Sequence, residues 1–265
     1  MRLREARCHG KPGIMKIALL GLSGAGKRTL FTLLTGREVS PSRKPDEAVE
    51  GIAQIRDVRV DTLAEICKPQ RKVYAENSFV LCPDVVAGER GWLDAARRCN
   101  LICLVVRAFD SDAVYHPAGS VDAERDIASL KSELLLADME IAEKRTVRLE
   151  KEKRSGLSSS QQAEARALEK CMSALESEQR LDRLALDEHE SGAIRSLEFV
   201  TTIPVLAIHN VSEDAIGDDQ PEDAVCVSCL IEQEIMAIDD LEERQAFLSD
   251  MGLDASGVDR VNEAA

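Results

Sequence analysis

Aromatic side chains are scarce in this chain: one Trp, two Tyr and five Phe among 265 residues. A core with so few rings has to be packed from aliphatic side chains. Long apolar runs are missing too. None approaches the roughly 18 residues that a membrane-spanning helix needs, so no membrane partner is expected. The arm from Met1 to Gly13 is basic but holds no apolar stretch before Ile14, unlike a secretory signal. Met15 directly precedes the first strand pattern, so residues 1–14 are taken as an N-terminal extension. Positive charge is in deficit as well. Lys and Arg number 34 against 48 Asp and Glu, a formal net charge of −14. A nucleic-acid backbone repels such an anion, so direct DNA binding is not expected, although a local basic site stays open.

Cysteine is present but poorly placed for cross-linking. Of eight cysteines, several lie inside apolar runs, as Cys103 does in Leu101-Ile102-Cys103-Leu104-Val105-Val106. These read as reduced, buried thiols of a cytoplasmic protein. Cys226 and Cys229 have C-x-x-C spacing, but there is no second such pair, and on a strand the two would face opposite ways. No metal site is expected from them.

What the chain does have is the 44% hydrophobic and 31% charged balance of a globular protein. Short apolar runs at Lys16–Leu20, Ser78–Cys82, Leu101–Val106, Pro204–Ile208 and Ala224–Val227 read as strands. Their nearly continuous apolar character suits strands covered on both faces, the mark of a parallel sheet. Helical patterns lie between some of them, at Lys27–Leu34 and Trp92–Arg98, so the fold class is α/β. The middle differs. Leu130, Leu134, Ala137, Ile141 and Ala142 fall at helical spacing, a Ser155–Ser160 stretch with Gly156 breaks the pattern, and Ala163, Ala167, Leu168, Cys171, Met172 and Leu175 resume it. Two amphipathic helices around such a turn make an antiparallel hairpin, which inserts residues 126–195 into an α/β domain built from 15–125 and 196–253. Its charges suit a solvated face, and a protein partner docked there is the alternative. Residues 254–265 are left as a C-terminal tail.

The chemistry-bearing motif follows the first strand and opens a helix: Gly21-Leu22-Ser23-Gly24-Ala25-Gly26-Lys27-Arg28-Thr29. This is G-x-x-x-x-G-K. The glycines let the backbone turn and aim N–H groups at phosphate, the helix N-terminus adds positive potential, and Lys27 can reach the β- and γ-phosphates. The residue after the lysine should be Ser or Thr, whose hydroxyl holds Mg²⁺. Here it is Arg28, which cannot ligate a metal. Thr29 is one residue further and rotated by about 100° around the helix, so it does not replace that ligand.

These residues resemble the YchF/Obg-like ATPases, a branch of the Obg-type P-loop proteins. Gly21 to Phe31 reads G-L-S-G-A-G-K-R-T-L-F, similar to the family's G-L-P-N-V-G-K-S-T-L-F. Further blocks follow in order: Asp61 to Gln70, Val105 to Phe109, His116 with Gly119 and Asp122, Glu133 to Asp138, Asn210 to Glu213, and Phe247 to Gly252. The resemblance implies a P-loop G domain with a coiled-coil helical insertion and a purine nucleotide as ligand, ATP or GTP or their diphosphates. Where most GTPases carry N-K-x-D, this chain has Asn210, Val211, Ser212 and Glu213. In the family N-x-x-E goes with ATP over GTP. Asn210 would tie the base loop to the phosphate loop, Glu213 would lie near the base edge, and Ser228, Cys229 and Leu230 match a later base-contacting loop. His116 aligns with a histidine thought to orient the attacking water, and the resemblance brings the ribosome as a partner.

The departures cluster at the metal and the terminal phosphate. The family's F-V-D-I-A-G-L-V-A-G appears as Phe79 to Gly88, with Leu81 in place of the aspartate that supports Mg²⁺ and Asp84 in place of the glycine that senses the γ-phosphate. The switch I threonine has no counterpart; its place falls near Pro45, and the asparagine of the phosphate loop is Gly24. The family continues into a TGS domain, which is expected to be absent beyond Ala265. The expectation is a nucleotide-binding protein of the YchF type with degenerate Mg²⁺ motifs and weak or lost hydrolysis, Arg28 supplying charge that Mg²⁺ would supply and Thr29 near the α-phosphate. A working ribosome-associated ATPase or GTPase and a non-binding interaction scaffold are the alternatives, so enzymatic activity is left open.

Overall fold

The structure, a computed structural model, describes residues 14–40, 44, 46–55, 57–153, 156–216, 224–238, 240–253 and 255–265. Pro45 and Cys8 lie outside the described residues. Six strands form one sheet: β1 (Met15–Leu20), β2 (Val49–Ile55), β3 (Ala75–Leu81), β4 (Leu101–Ala108), β5 (Val205–Val211) and β6 (Ala224–Val227), in the order β2-β3-β1-β4-β5-β6. All pairings are parallel except β2 with β3. The α/β expectation holds.

Strand alternation divides the core into two layers. Ile17, Leu19, Cys103 and Val105 face helix α1 (Lys27–Thr35), whose Leu30 and Phe31 are fully buried. Ala18, Leu20, Ile102, Leu104 and Val106 face the other way, against Trp92, Leu93 and Ala96 around α3 (Leu93–Ala96) and the first half of α4 (Ala123–Glu152). Burial on both faces explains the continuous apolar runs.

β2 was not expected. It is an edge strand whose burial alternates, and the residues it buries, Gly51 and Ala53, are too small to produce an apolar run. Gly51 has no alternative: a Cβ there would lie 2.8 Å from Phe31 Cζ and 2.9 Å from Thr35. Between β2 and β3 runs α2 (Val58–Cys67), capped by the Asp57 side chain.

The hairpin is α4 with α5 (Ser159–Glu176), where Ser158 and Gln161 form a reciprocal capping box. α4 starts at Ala123, earlier than the expected boundary. It does two jobs: Leu130, Leu134 and Ala137 pack on the sheet, while Ala142 and Leu149 meet Ala167, Leu168 and Cys171 of α5 in a separate core. Arg145 joins the helices by donating to both Glu164 oxygens at 2.6 and 2.8 Å. Buried Asp138 accepts from the backbone N–H groups of Val200 and Thr201 and from the Thr201 hydroxyl, at 2.6–2.9 Å, and so locks the insertion to the segment leading into β5. After the short helix α6 (Glu188–Ile194), the chain returns to the sheet.

The last residues are not a tail. Beyond α7 (Cys229–Ala237) and α8 (Leu241–Asp250), α9 (Gly257–Ala264) puts fully buried Val261 into the α1 layer. Glu232 of α7 accepts from the Gly257 and Val258 N–H groups and seats the start of α9. Val258, one turn before Val261, packs against the same core, but so short an apolar pattern in an eight-residue helix was not read from the sequence.

Among the described residues no cysteine forms a disulfide and no helix is long and apolar enough to cross a membrane. Burial pushes the Cys103 thiol up to about 12 and keeps it inert.

Candidate nucleotide site

The sheet changes direction of winding at β1, whose neighbours are β3 and β4. In open α/β sheets ligands bind at the carboxyl ends of strands at such a point. A cleft of about 780 Å³ lies there, within the size range of nucleotide-sized ligand sites. Its walls bring together residues far apart in the chain: Ser23 to Thr29, Leu81 to Asp84, Phe109 with Val114, Asn210 to Asp214, and Ser228 to Leu230. Gly21 and Leu22 sit just behind, at the β1 end.

The loop needs its glycines. Gly24 and Gly26 have φ of +77° and +91°, in the left-handed region. A Cβ on Gly26 would sit 2.2 Å from Asn210 Nδ2, and one on Gly21 2.2 Å from the Val105 carbonyl oxygen. Gly26 is also the cap of α1 and provides no side-chain acceptor, so the N–H groups of the first helical turn stay free of an intrahelical partner at the cleft.

At one end of the cleft Asn210 joins three segments. It occupies the end of β5, which runs three residues beyond its expected end because Arg107 and Ala108 of β4 pair with Asn210 and Val211. Buried Asn210 donates from Nδ2 to the Ala25 carbonyl at 3.2 Å and accepts from the Cys229 N–H at 3.1 Å. Cys229 therefore opens α7 rather than continuing β6, with Ser228 as its cap residue. Glu213 is exposed in a 3-10 turn on the same wall, and Leu230 is exposed beside it.

The other end is different. Buried Lys27 donates to the Gly21 and Leu22 carbonyls at 2.8 and 2.7 Å and to Asp84 Oδ1 at 2.7 Å. Those three bonds use all three hydrogens of its ammonium. Asp84 is brought there by the backbone: Cys82 N–H donates to the Leu19 carbonyl and Val85 N–H to the Gly21 carbonyl, zipping residues 82–85 along the phosphate loop. Burial pushes the Lys27 ammonium below its ordinary value, and the Asp84 carboxylate opposes the fall. Burial would raise the Asp84 carboxyl; the Lys27 charge and hydrogen bonds from Lys27 and Ser23 outweigh it and hold it below the ordinary carboxylate value. Arg28 is exposed on the cleft wall, while Leu81 is a buried aliphatic at the position where the resemblance implies a carboxylate.

His116 is not brought to the cleft. It is buried, with Nε2 2.9 Å from Asp126 Oδ2 and Nδ1 accepting from the Ala118 N–H at 3.2 Å. Both nitrogens are engaged in shaping the start of α4, where Arg125 also pairs with Asp126. A water-orienting role for His116 stays an expectation from the resemblance.

Sequence reasoning missed Arg107. It is buried, its guanidinium donates to the carbonyls of Phe109, Ser111 and Val114 at 2.8–3.0 Å, and it stacks 4.8 Å from the Phe109 ring. It thereby shapes the 109–114 loop, whose Val114 comes against Gly24. An arginine inside the otherwise apolar Leu101–Ala108 strand was the available signal.

A mostly parallel sheet with this loop at its switch point and Lys27 at the start of α1 defines a P-loop NTPase fold. The relatives narrow it. The protein called ribosome-binding ATPase YchF from Escherichia coli O157:H7 is 34% identical over 271 residues, covering 94% of this chain and 74% of that protein. Its namesake from Bacillus subtilis is 30% identical over 276 residues, covering 93% and 74%. The solved structure of the Schizosaccharomyces pombe YchF GTPase superposes with a TM-score of 0.76 at 24% identity, over 96% of this chain and 76% of that one. No family model matches the sequence. The chain belongs to the YchF family of P-loop ATPases.

Proposed function

We propose that this protein binds a purine nucleotide in the cleft at Gly21–Thr29 without depending on Mg²⁺, and that its hydrolysis is weak or lost. The observation that carries the reading is Asn210, which holds the phosphate loop at Ala25 and the start of α7 at Cys229 in one buried unit. That unit fits a ligand with phosphates on the N–H groups of Gly24 to Thr29 and a base between Asn210–Glu213 and Ser228–Leu230. Glu213 on the wall favours adenine over guanine, as N-x-x-E does in the family.

The residues present do not fit a divalent ion at the terminal phosphate. Arg28 and Leu81 offer no metal-binding oxygen, and Asp84 is paired with Lys27. Phosphoryl transfer depends on neutralising developing charge, so changing those positions together costs the chemical step more than the binding step. The relatives' names supply the ribosome as a proposed partner; a cytoplasmic location and a protein partner docked on the hairpin are further parts of this proposal.

Titration by calorimetry with ATP, ADP, GTP and GDP, first with Mg²⁺ and then with EDTA, tests this. Adenine nucleotides binding equally in both conditions are expected; binding that requires Mg²⁺ restores the ATPase reading. The Lys27–Asp84 pair favours one second reading, an interaction scaffold, and silence of all four nucleotides up to about 1 mM would establish it.

A further inference from the structure

The contact between Lys27 and Asp84 has a consequence for which nucleotide the site takes, and it rests on the nucleotide-binding reading above. In a P-loop the lysine reaches the β- and γ-phosphates. Here Lys27 is buried, and its ammonium has no hydrogen left for a further oxygen. The carboxylate that takes the last hydrogen is fixed rather than passing. The Val85 N–H to Gly21 carbonyl bond at 3.1 Å sets its backbone, and Ser23 also donates to it. Asp84 lines the cleft beside Leu81 and Cys82, on the far side of the phosphate loop from Asn210.

We propose that the Asp84 carboxylate acts as a built-in stand-in for the terminal phosphate, so that the site selects nucleoside diphosphates over triphosphates. A diphosphate lies on the N–H groups of the loop and the first turn of α1 and brings only its β-phosphate within reach of Lys27, leaving the γ position beside Asp84 empty. A γ-phosphate must either take the Lys27 hydrogen from Asp84 or place its charge against that carboxylate. Like charges a few ångströms apart repel strongly in a partly enclosed site; the charges of Arg28 and Lys44 on the cleft wall offset part of this, but neither Arg28 nor Leu81 has a side chain that can ligate a metal ion and add more. Asp84 is then the specificity-determining residue of the site, and Lys27 serves to hold it.

The experiment is calorimetric titration of the whole chain with ADP, ATP, GDP and GTP in EDTA, for the unaltered protein, Asp84→Asn and Asp84→Gly. For the unaltered protein, the diphosphate of the preferred base is expected to bind about tenfold or more tightly than its triphosphate. Both substitutions are expected to raise triphosphate affinity about tenfold while moving diphosphate affinity by less than about threefold. Thermal unfolding shows that each variant is folded, and Asp84→Gly restores a residue the loop can accept if Asp84→Asn is not. Triphosphate binding as tight as diphosphate in the unaltered protein, or equal gains for both nucleotides in the variants, overturns the selection while leaving the nucleotide site intact. No binding of any nucleotide by all three proteins overturns the site itself, and with it the selection.

Discussion

The two ends of the cleft are built by different means. At the Asn210 end the partners are backbone groups and one buried amide: Ala25 carbonyl, Cys229 N–H and the positive φ of Gly26. At the Lys27 end two of the ammonium's partners are backbone carbonyls but the third is the Asp84 carboxylate, and Asp84, Arg28 and Leu81 stand where the family resemblance implies Gly, Ser and Asp. Backbone geometry survives substitution of most neighbouring side chains, whereas a charge site is rewritten by one residue. In the function proposed above, this difference accounts for a chain that keeps the frame for holding a nucleotide while the positions that handle its terminal phosphate differ from the family resemblance.

The largest expected effect comes from Gly26→Ala. The new Cβ would strain a left-handed residue and collide with Asn210 at 2.2 Å, so a loss of about 3 kcal/mol or more in urea unfolding is expected, together with loss of nucleotide binding. Asn210→Ala comes next. It leaves a buried N–H and a buried carbonyl without partners, for a loss of about 2 kcal/mol and at least about a tenfold drop in nucleotide affinity. If affinity is untouched, the joining role assigned to the Asn210 end is wrong.

His116→Ala tests a residue that lies outside the lining of the cleft. It removes a buried partner of Asp126 and should cost about 1–2 kcal/mol, with nucleotide affinity changed by less than about twofold. The smallest effect on stability is expected at Asp84, whose side chain is half exposed. Asp84→Asn should cost about 1 kcal/mol or less at neutral pH. Its pH dependence is diagnostic. The folded carboxyl is held below its ordinary value of 3.8, so the pair's contribution is full above that value and is lost as pH falls through the lower, folded one. The stability gap between the unaltered protein and Asp84→Asn should therefore close on acidification below about pH 4. A gap that persists there would mean that the charge pair is not its source.

Much of the frame was legible in the residues. Five of the six strands, the hairpin and the phosphate loop follow from apolar period, Gly placement and one lysine, because the parallel strands are buried on both faces. β2 was missed since an edge strand burying Gly51 and Ala53 has no apolar run to recognise. α9 was missed because Val258 and Val261 make only a two-residue apolar pattern, and the seating of its first turn by Glu232 from another helix is a tertiary fact. His116 aligns with a motif and is paired with Asp126, 10 positions on, and Asp84 is visible as an oddity without showing that it closes on Lys27. The contacts that seat α9 and Asp84 join residues 25 and 57 positions apart, which spacing along the chain does not encode.

The most direct test is the titration of the purified chain with ADP in EDTA and again with Mg²⁺. The account predicts saturable binding with a Kd that differs by less than about twofold between the two conditions. Binding that appears only with Mg²⁺, or no binding up to about 1 mM in either, would contradict it.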